Sequence, residues 1–225
     1  MHFLYPLLIP SPGDVLEYYV ETGLTGIVKP VYRTLVNSLS GFSLAVSLAF
    51  LSIILGYLNK HIEAFIEALN TFVQSVSVLV WALVLIMILG VTSPLPPVLV
   101  TTAACYPLML STLYGGVKSI DKKFSELARL MGATRLQELL YFVLPGVLPY
   151  VLSASRSAIG LALRISVVAE AFGASGGVGY SLVYSYDMGI REGVFAWAIL
   201  LVTLMITLDY VILRPVERVS KKWML

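Results

Sequence analysis

Three ionisable side chains stand in an otherwise apolar stretch running from about Pro145 to Phe172: Arg156, Arg164 and Glu170. A charge at the centre of a bilayer costs about 2.5–3.5 kcal/mol on insertion scales, so such groups face protein or a water-filled path. Two chemistries fit the arginines. They can line the path of an anion, Arg164 being the better placed, or they can bind carbonyls and carboxylates of neighbouring helices or snorkel to the interface. Arg164 and Glu170 are six positions apart and so do not share a helix face, which argues against a pair within one helix.

Other reactive groupings are missing from the chain. A lone Cys105 excludes an internal disulfide and any multi-cysteine metal site, and His2 and His61 lie far apart. No G-x4-G-K-[ST] pattern is present to cradle phosphates. The glycine-rich run from Gly173 to Ser181 lacks the lysine and reads as a turn with positive-φ glycines. With 15 basic and 13 acidic residues, the net charge of +2 creates no basic field for nucleic acid.

The elements that hold these residues follow from composition. Hydrophobic residues make up 58% of the 225 and charged residues 12%, and mean hydropathy is +0.89. A water-facing surface cannot be covered with so few charges, because soluble domains carry about 25%. The class is an all-α integral membrane protein. No basic n-region or clear cleavage site marks a signal peptide.

A spanning helix takes about 20 apolar residues. Five spans are expected, over about 34–59, 71–91, 97–115, 146–172 and 194–213, in one transmembrane domain covering 1–225. The second and third divide a charge-free run between Glu67 and Lys118, broken at Ser93-Pro94-Leu95-Pro96-Pro97. Small residues Ser153, Ser157 and Gly160 line one side of the fourth, suited to close helix packing.

Basic residues set the orientation. Lys60, Lys118, Lys122, Lys123, Arg129, Arg135, Arg214, Arg218, Lys221 and Lys222 fall on one side, against Lys29, Arg33 and Arg191 on the other. The segment 118–145 and the C-terminus are therefore expected in the cytoplasm, with the N-terminus outside. Residues 118–144 are long and patterned for a membrane loop. Ser119 and Asp121 can cap a helix, Phe124, Leu127, Leu130 and Met131 recur at helical spacing, and Gly132 interrupts. Leu136, Leu139, Leu140 and Val143 then resume an apolar stripe. Two short amphipathic helices hinged at glycine are expected there, either tidying the connection at the interface or docking a cytoplasmic partner.

Residue identities bear on that choice. Glu126-Leu127-Ala128, three residues, Gly132, nine residues, then Phe142-Val143-Leu144-Pro145 resembles the EAA loop of ABC-transporter permeases, E-A-A-x3-G-x9-I-x-L-P, with every spacing kept. Leu127 stands where that family has alanine and Phe142 where it has isoleucine. Leu8-Ile9-Pro10-Ser11-Pro12 with Asp14-Val15-Leu16, Gly116-Val117, Ile120-Asp121, Tyr106-Pro107, and Val168-Ala169-Glu170 continuing through Gly177-Val178-Gly179-Tyr180 resemble the nitrate/sulfonate/taurine branch. That branch usually has a sixth helix upstream of L-P-S-P, so here that helix is absent or the chain's start lies earlier.

The resemblance implies a type I importer permease core in the cell membrane of a prokaryote. It implies a permease homodimer, two cytoplasmic ATPase subunits that bind ATP and magnesium, and an extracytoplasmic solute-binding protein. This chain would hold no cofactor and catalyse no reaction. Glu126, Leu127, Ala128, Leu130, Met131, Gly132, Leu144 and Pro145 would couple to the ATPase. The solute implied is an anion such as sulfonate, taurine, nitrate or bicarbonate, although related permeases serve thiamine-precursor or riboflavin uptake. Read from the residues alone, an ATP-independent transporter or channel, or a membrane scaffold recruiting a cytoplasmic protein, remains open.

Overall fold

The computed structural model describes residues 10–120, 130–173, 176–208 and 210. Those residues form helices without a strand. Helix α1 covers Pro12–Leu58, started by a capping box in which Ser11 Oγ accepts from the Asp14 N–H and the Asp14 carboxylate accepts from the Ser11 N–H. It therefore begins far ahead of the span expected from 34. Gly23, at φ +67° and ψ +166°, divides it into two helical segments.

The expected second span is bent. Helix α2 covers Lys60–Ser75 and α3 covers Val78–Leu89, and they meet at 95°. Val76 is extended there, which releases carbonyls that lipid cannot hydrate. Side chains take up two of them: Ser75 Oγ donates to the Phe72 carbonyl at 2.8 Å and Trp81 Nε1 to the Val73 carbonyl at 3.4 Å. The charge-free window from which the span was read spreads over both arms, so hydropathy could not reveal the elbow.

Gly90 ends α3 with φ +87°. Prolines 94, 96 and 97 then lead into α4, Leu95–Ser119, where their missing N–H groups fall in the first turn and cost nothing. Ser119 is the last residue of α4, and most of the segment it is expected to cap lies outside the described residues. Its hydroxyl donates to the Gly116 carbonyl at 2.7 Å and lies 2.7 Å from the Tyr150 hydroxyl. Asp121 lies outside the described residues.

Helix α5 covers Arg135–Gly173, 39 residues, and includes a π-helical turn at Leu139–Val143. Thr134 opens it with a capping box to Gln137. The second of the two loop helices expected from the sequence is thus the first turns of the fourth span, and Pro145 lies inside the continuous rod instead of separating loop from span. The π turn ends two residues before Pro145, whose ring leaves the carbonyl of Tyr141 inside that turn without its usual donor. Helices α6, Val178–Asp187, and α7, Arg191–Leu208, complete the described chain.

Helix α4 packs chiefly between α1 and α5. Its Cys105, Met109, Leu110 and Leu113 meet Ala45, Ala49 and Ile53 of α1 and Ala154, Ala158 and Ala162 of α5 in one buried cluster. Alanines four residues apart form a flat row, which allows helices to approach closely where lipid offers no hydrophobic drive. Gly41 does the same for α1, since a Cβ there would stand 2.6 Å from the Thr101 Cβ. Thr102 fastens the pair by donating to the Gly41 carbonyl at 3.1 Å.

Candidate functional site

At one end of the bundle lies the patterned loop. Glu126, Leu127 and Ala128 fall outside the described residues. Gly132 takes φ +75°, the left-handed region that side chains rarely adopt, so the turn into α5 depends on glycine. Just ahead of it, Leu130 is 85% exposed and Met131 76%. Along the start of α5, Leu139 and Val143 are buried and Leu144 is half-buried, while Pro145 is exposed. Leu139 and Val143 thus root this end of α5 in the bundle, Leu136 and Leu140 of the expected stripe stay exposed, and no described residue covers Leu130 and Met131.

Further along α5, two faces differ. Ala154, Ala158 and Ala162 point into the core, while Ser153 and Ser157 are exposed and Gly160 is half-buried. The serine–glycine row expected to pack is therefore turned away from the chain's own helices, and alanines supply the internal contact. Arg164 continues that row at helical spacing, i, i+4, i+7, i+11, and is exposed. It makes no hydrogen bond or ion pair with any other described residue. With Ile159, Gly160, Leu163 and residues of α7 including Met205 and Ile206, it borders a cavity of about 250 Å³. By helix rise Arg164 sits about 14 Å before Gly173, well inside a hydrocarbon layer of about 30 Å. Arg156 is half-buried on a neighbouring side of the helix.

Glu170 is separate from both arginines. It is fully buried, and four groups from three helices aim at its carboxylate. Thr34 Oγ1 donates to Oε2 at 2.7 Å, Asn37 Nδ2 to Oε1 at 2.9 Å, Gly179 N–H to Oε2 at 3.3 Å, and Ser166 Oγ reaches Oε1 at 3.5 Å. Thr34 Oγ1 in turn accepts from the Val178 N–H at 2.9 Å. The carboxylate and Thr34 together cap the N-terminus of α6, where unpaired N–H groups and the helix dipole favour negative charge.

Glycines make room for this arrangement. A Cβ at Gly177, whose φ is +116°, would run into the Glu170 carboxyl, and one at Gly179 into the Val167 carbonyl. The positive-φ turn read from the glycine run is present at Gly176 and Gly177. Asn37 lies inside the expected first span, and no local spacing in the sequence pairs it with Glu170. Thr34 carried no signal at all, because a hydroxyl at the start of an apolar run is common. Among the described residues, no three His, Cys, Asp or Glu side chains gather as a metal site.

Residues 49–221 match the family described as "Binding-protein-dependent transport system inner membrane component". The chain is 26% identical over 218 residues to the formylaminopyrimidine transport permease protein ThiX of Halalkalibacterium halodurans, covering 97% of this chain and 86% of that protein. It is 26% identical over 217 residues to the putative aliphatic sulfonates transport permease protein SsuC of Bacillus subtilis, covering 96% and 78%. The bicarbonate transport system permease protein CmpB of Synechococcus elongatus is 26% identical over 145 residues, covering 64% and 52%. Among solved structures, an inward-facing MetNI methionine ABC transporter chain superposes with a TM-score of 0.73 at 18% identity, covering 87% of this chain and 95% of that one.

Proposed function

The chain belongs to the family of binding-protein-dependent transport system inner membrane components, and from that premise we propose that two copies form the inward path of a small anion, driven by a separate pair of cytoplasmic ATPase subunits. One observation carries the reading: the EAA-type loop leaves Leu130 and Met131 uncovered at a glycine turn that opens directly into a rod 39 residues long. Apolar side chains at the tip would seat in a groove on the ATPase, where ATP and magnesium are bound. Glu126, Leu127 and Ala128 would extend the same contact. A turn of φ +75° at Gly132 joins the docked segment to α5, so displacement of the tip becomes displacement of the rod.

Arg164 supports an anionic solute. Its guanidinium has no partner among the described residues and stands on an uncovered face of small residues, where a carboxylate, sulfonate or bicarbonate could exchange quickly. Two relatives are named for sulfonates and for bicarbonate. Similarity to a formylaminopyrimidine permease favours a second reading, in which the solute is a heterocycle and Arg164 contacts a ring acceptor. In either case an extracytoplasmic binding protein would deliver the solute, and the exposed Ser153 and Ser157 with half-buried Gly160 would face the second permease copy.

The test is copurification of the ATPase from membranes, comparing the parent chain with Gly132→Asp and Glu126→Lys. The parent is expected to retain the ATPase, and one or both variants to lose it while still inserting. Equal retention by all three would remove the loop as the dock.

A further inference from the structure

Nothing in the loop reading explains why a buried glutamate at the opposite end of α5 collects donors from three helices. Glu170 sits three residues before the rod ends at Gly173. Its oxygens accept from Thr34 and Asn37 of α1, from Ser166 of α5, and from the N–H of Gly179 in α6. The Val178 N–H closes the ring through Thr34 Oγ1. A glycine pair at 176–177 brings α6 close enough that any side chain at Gly177 would displace the carboxylate. Helix α6 is thereby gripped at its N-terminus by side chains, not merely packed.

We propose that Glu170 is a positioning residue that fastens α6 to the α5 rod, so that movement of the loop at one membrane face is delivered to α6 at the other. The proposal rests on the reading of the chain as an ATP-driven permease. It follows from continuity: residues Arg135–Gly173 form one helix of about 58 Å at 1.5 Å per residue. A rod of that length moves a distant element only if something at its far end holds that element. Packing on α5, α7 and α1 holds α6 along its length, and the Glu170–Thr34 ring fixes its N-terminus. Thr34 and Asn37 include the middle of α1 in the same body, and Ile86 of α3 packs on Ala169 and Gly173 beside it.

The geometry defines two variants. Oε1 receives the Asn37 amide and the Ser166 hydroxyl, while Oε2 receives Thr34 and the Gly179 N–H. Glu170→Leu removes every acceptor at similar size. Glu170→Gln is conservative: its oxygen can keep Thr34 and Gly179, and the Asn37 amide can turn over so that its own oxygen accepts from the new NH2 group.

Tyr186, at the far end of α6 and 74% exposed, offers a reporter position when changed to cysteine. The native thiol of Cys105 is buried and donates to the Ala158 carbonyl at 3.5 Å, so it stays silent. The permease–ATPase complex in lipid nanodiscs is treated with a hydrophilic maleimide, either without nucleotide or trapped with MgATP and vanadate. With Glu170 intact, the labelling rate at 186 is expected to differ between the two states by about fivefold or more, the lower end of typical coupling. Glu170→Leu should collapse that difference while the ATPase still copurifies and hydrolyses ATP, and Glu170→Gln should keep part of it. Thr34→Val, which removes only the hydroxyl, should collapse it as well and carries the test if Glu170→Leu fails to accumulate.

A nucleotide response retained in full in Glu170→Leu and Thr34→Val, or absent in the intact parent, overturns the proposal. Failure of the parent to hold the ATPase at all would instead overturn the functional reading beneath it.

Discussion

Arg164 and Glu170 occupy the same helix six residues apart, yet their surroundings assign them opposite tasks. Glu170 has every oxygen engaged, whereas Arg164 has no partner among the described residues. Arg164→Ala is therefore expected to leave insertion and ATPase copurification intact and to lower anion uptake into proteoliposomes about 10–100-fold, the range of a lost charged hydrogen bond worth about 1.5–3 kcal/mol. Arg164→Lys should recover part of it, keeping the charge without the planar fork. Unchanged uptake would return Arg164 to snorkelling. The presence of both charges was legible in the chain, since any ionisable group in an apolar run stands out. Their separation was not, because Glu170 finds Thr34 and Asn37 at 136 and 133 positions' distance, and no local spacing encodes such a meeting.

Among the elements, α5 carries the sharpest contrast between adjacent positions. Ala158 is completely buried against α4, and Ser157 beside it is exposed. Leucine at 158 should overpack the α4–α5 seam and cost about 1–3 kcal/mol, seen as a lowered unfolding midpoint in detergent. Leucine at 157 should leave that midpoint in place and weaken association of two copies, read by cross-linking or mass photometry. The reverse pattern would mean the serine row packs internally after all. Small residues on this helix were visible from the sequence, but two such rows run along it and hydropathy cannot choose between them. What decides is the bulk of the facing side chains on α4, Met109 and Leu110 among them. Helix α4, Leu95–Ser119, encloses the run 97–115, whereas α1 begins at Pro12, 22 residues before the expected Thr34, because its capping box at Ser11 leaves no mark in hydropathy. The elbow in the second span was hidden, because a bend changes the direction of a helix without changing its composition.

At the scale of the whole molecule, the described residues form a bundle in which the 39-residue α5 runs from the glycine turn at Gly132 to the Glu170 ring at the opposite end, with α2 and α3 beside it. That arrangement has a consequence for how the protein is made. Helix α3 has 12 residues, about 18 Å of helix, against about 30 Å of hydrocarbon. Helix α2 carries Lys60, His61, Glu63 and Glu67 and turns away at 95°. Neither arm alone satisfies the insertion machinery, and the short turn after Gly90 leads at once into the apolar α4. The nascent chain is thus expected to commit α3 to the bilayer only when α4 emerges, the two entering as a hairpin. A glycosylation-mapping series of truncations should show segment 60–90 failing to integrate when the chain stops at Gly90 and integrating once it extends through Ser119. Biogenesis would then have a checkpoint in the middle of the protein, at the prolines between α3 and α4, before α5 or the Glu170 ring has been synthesised.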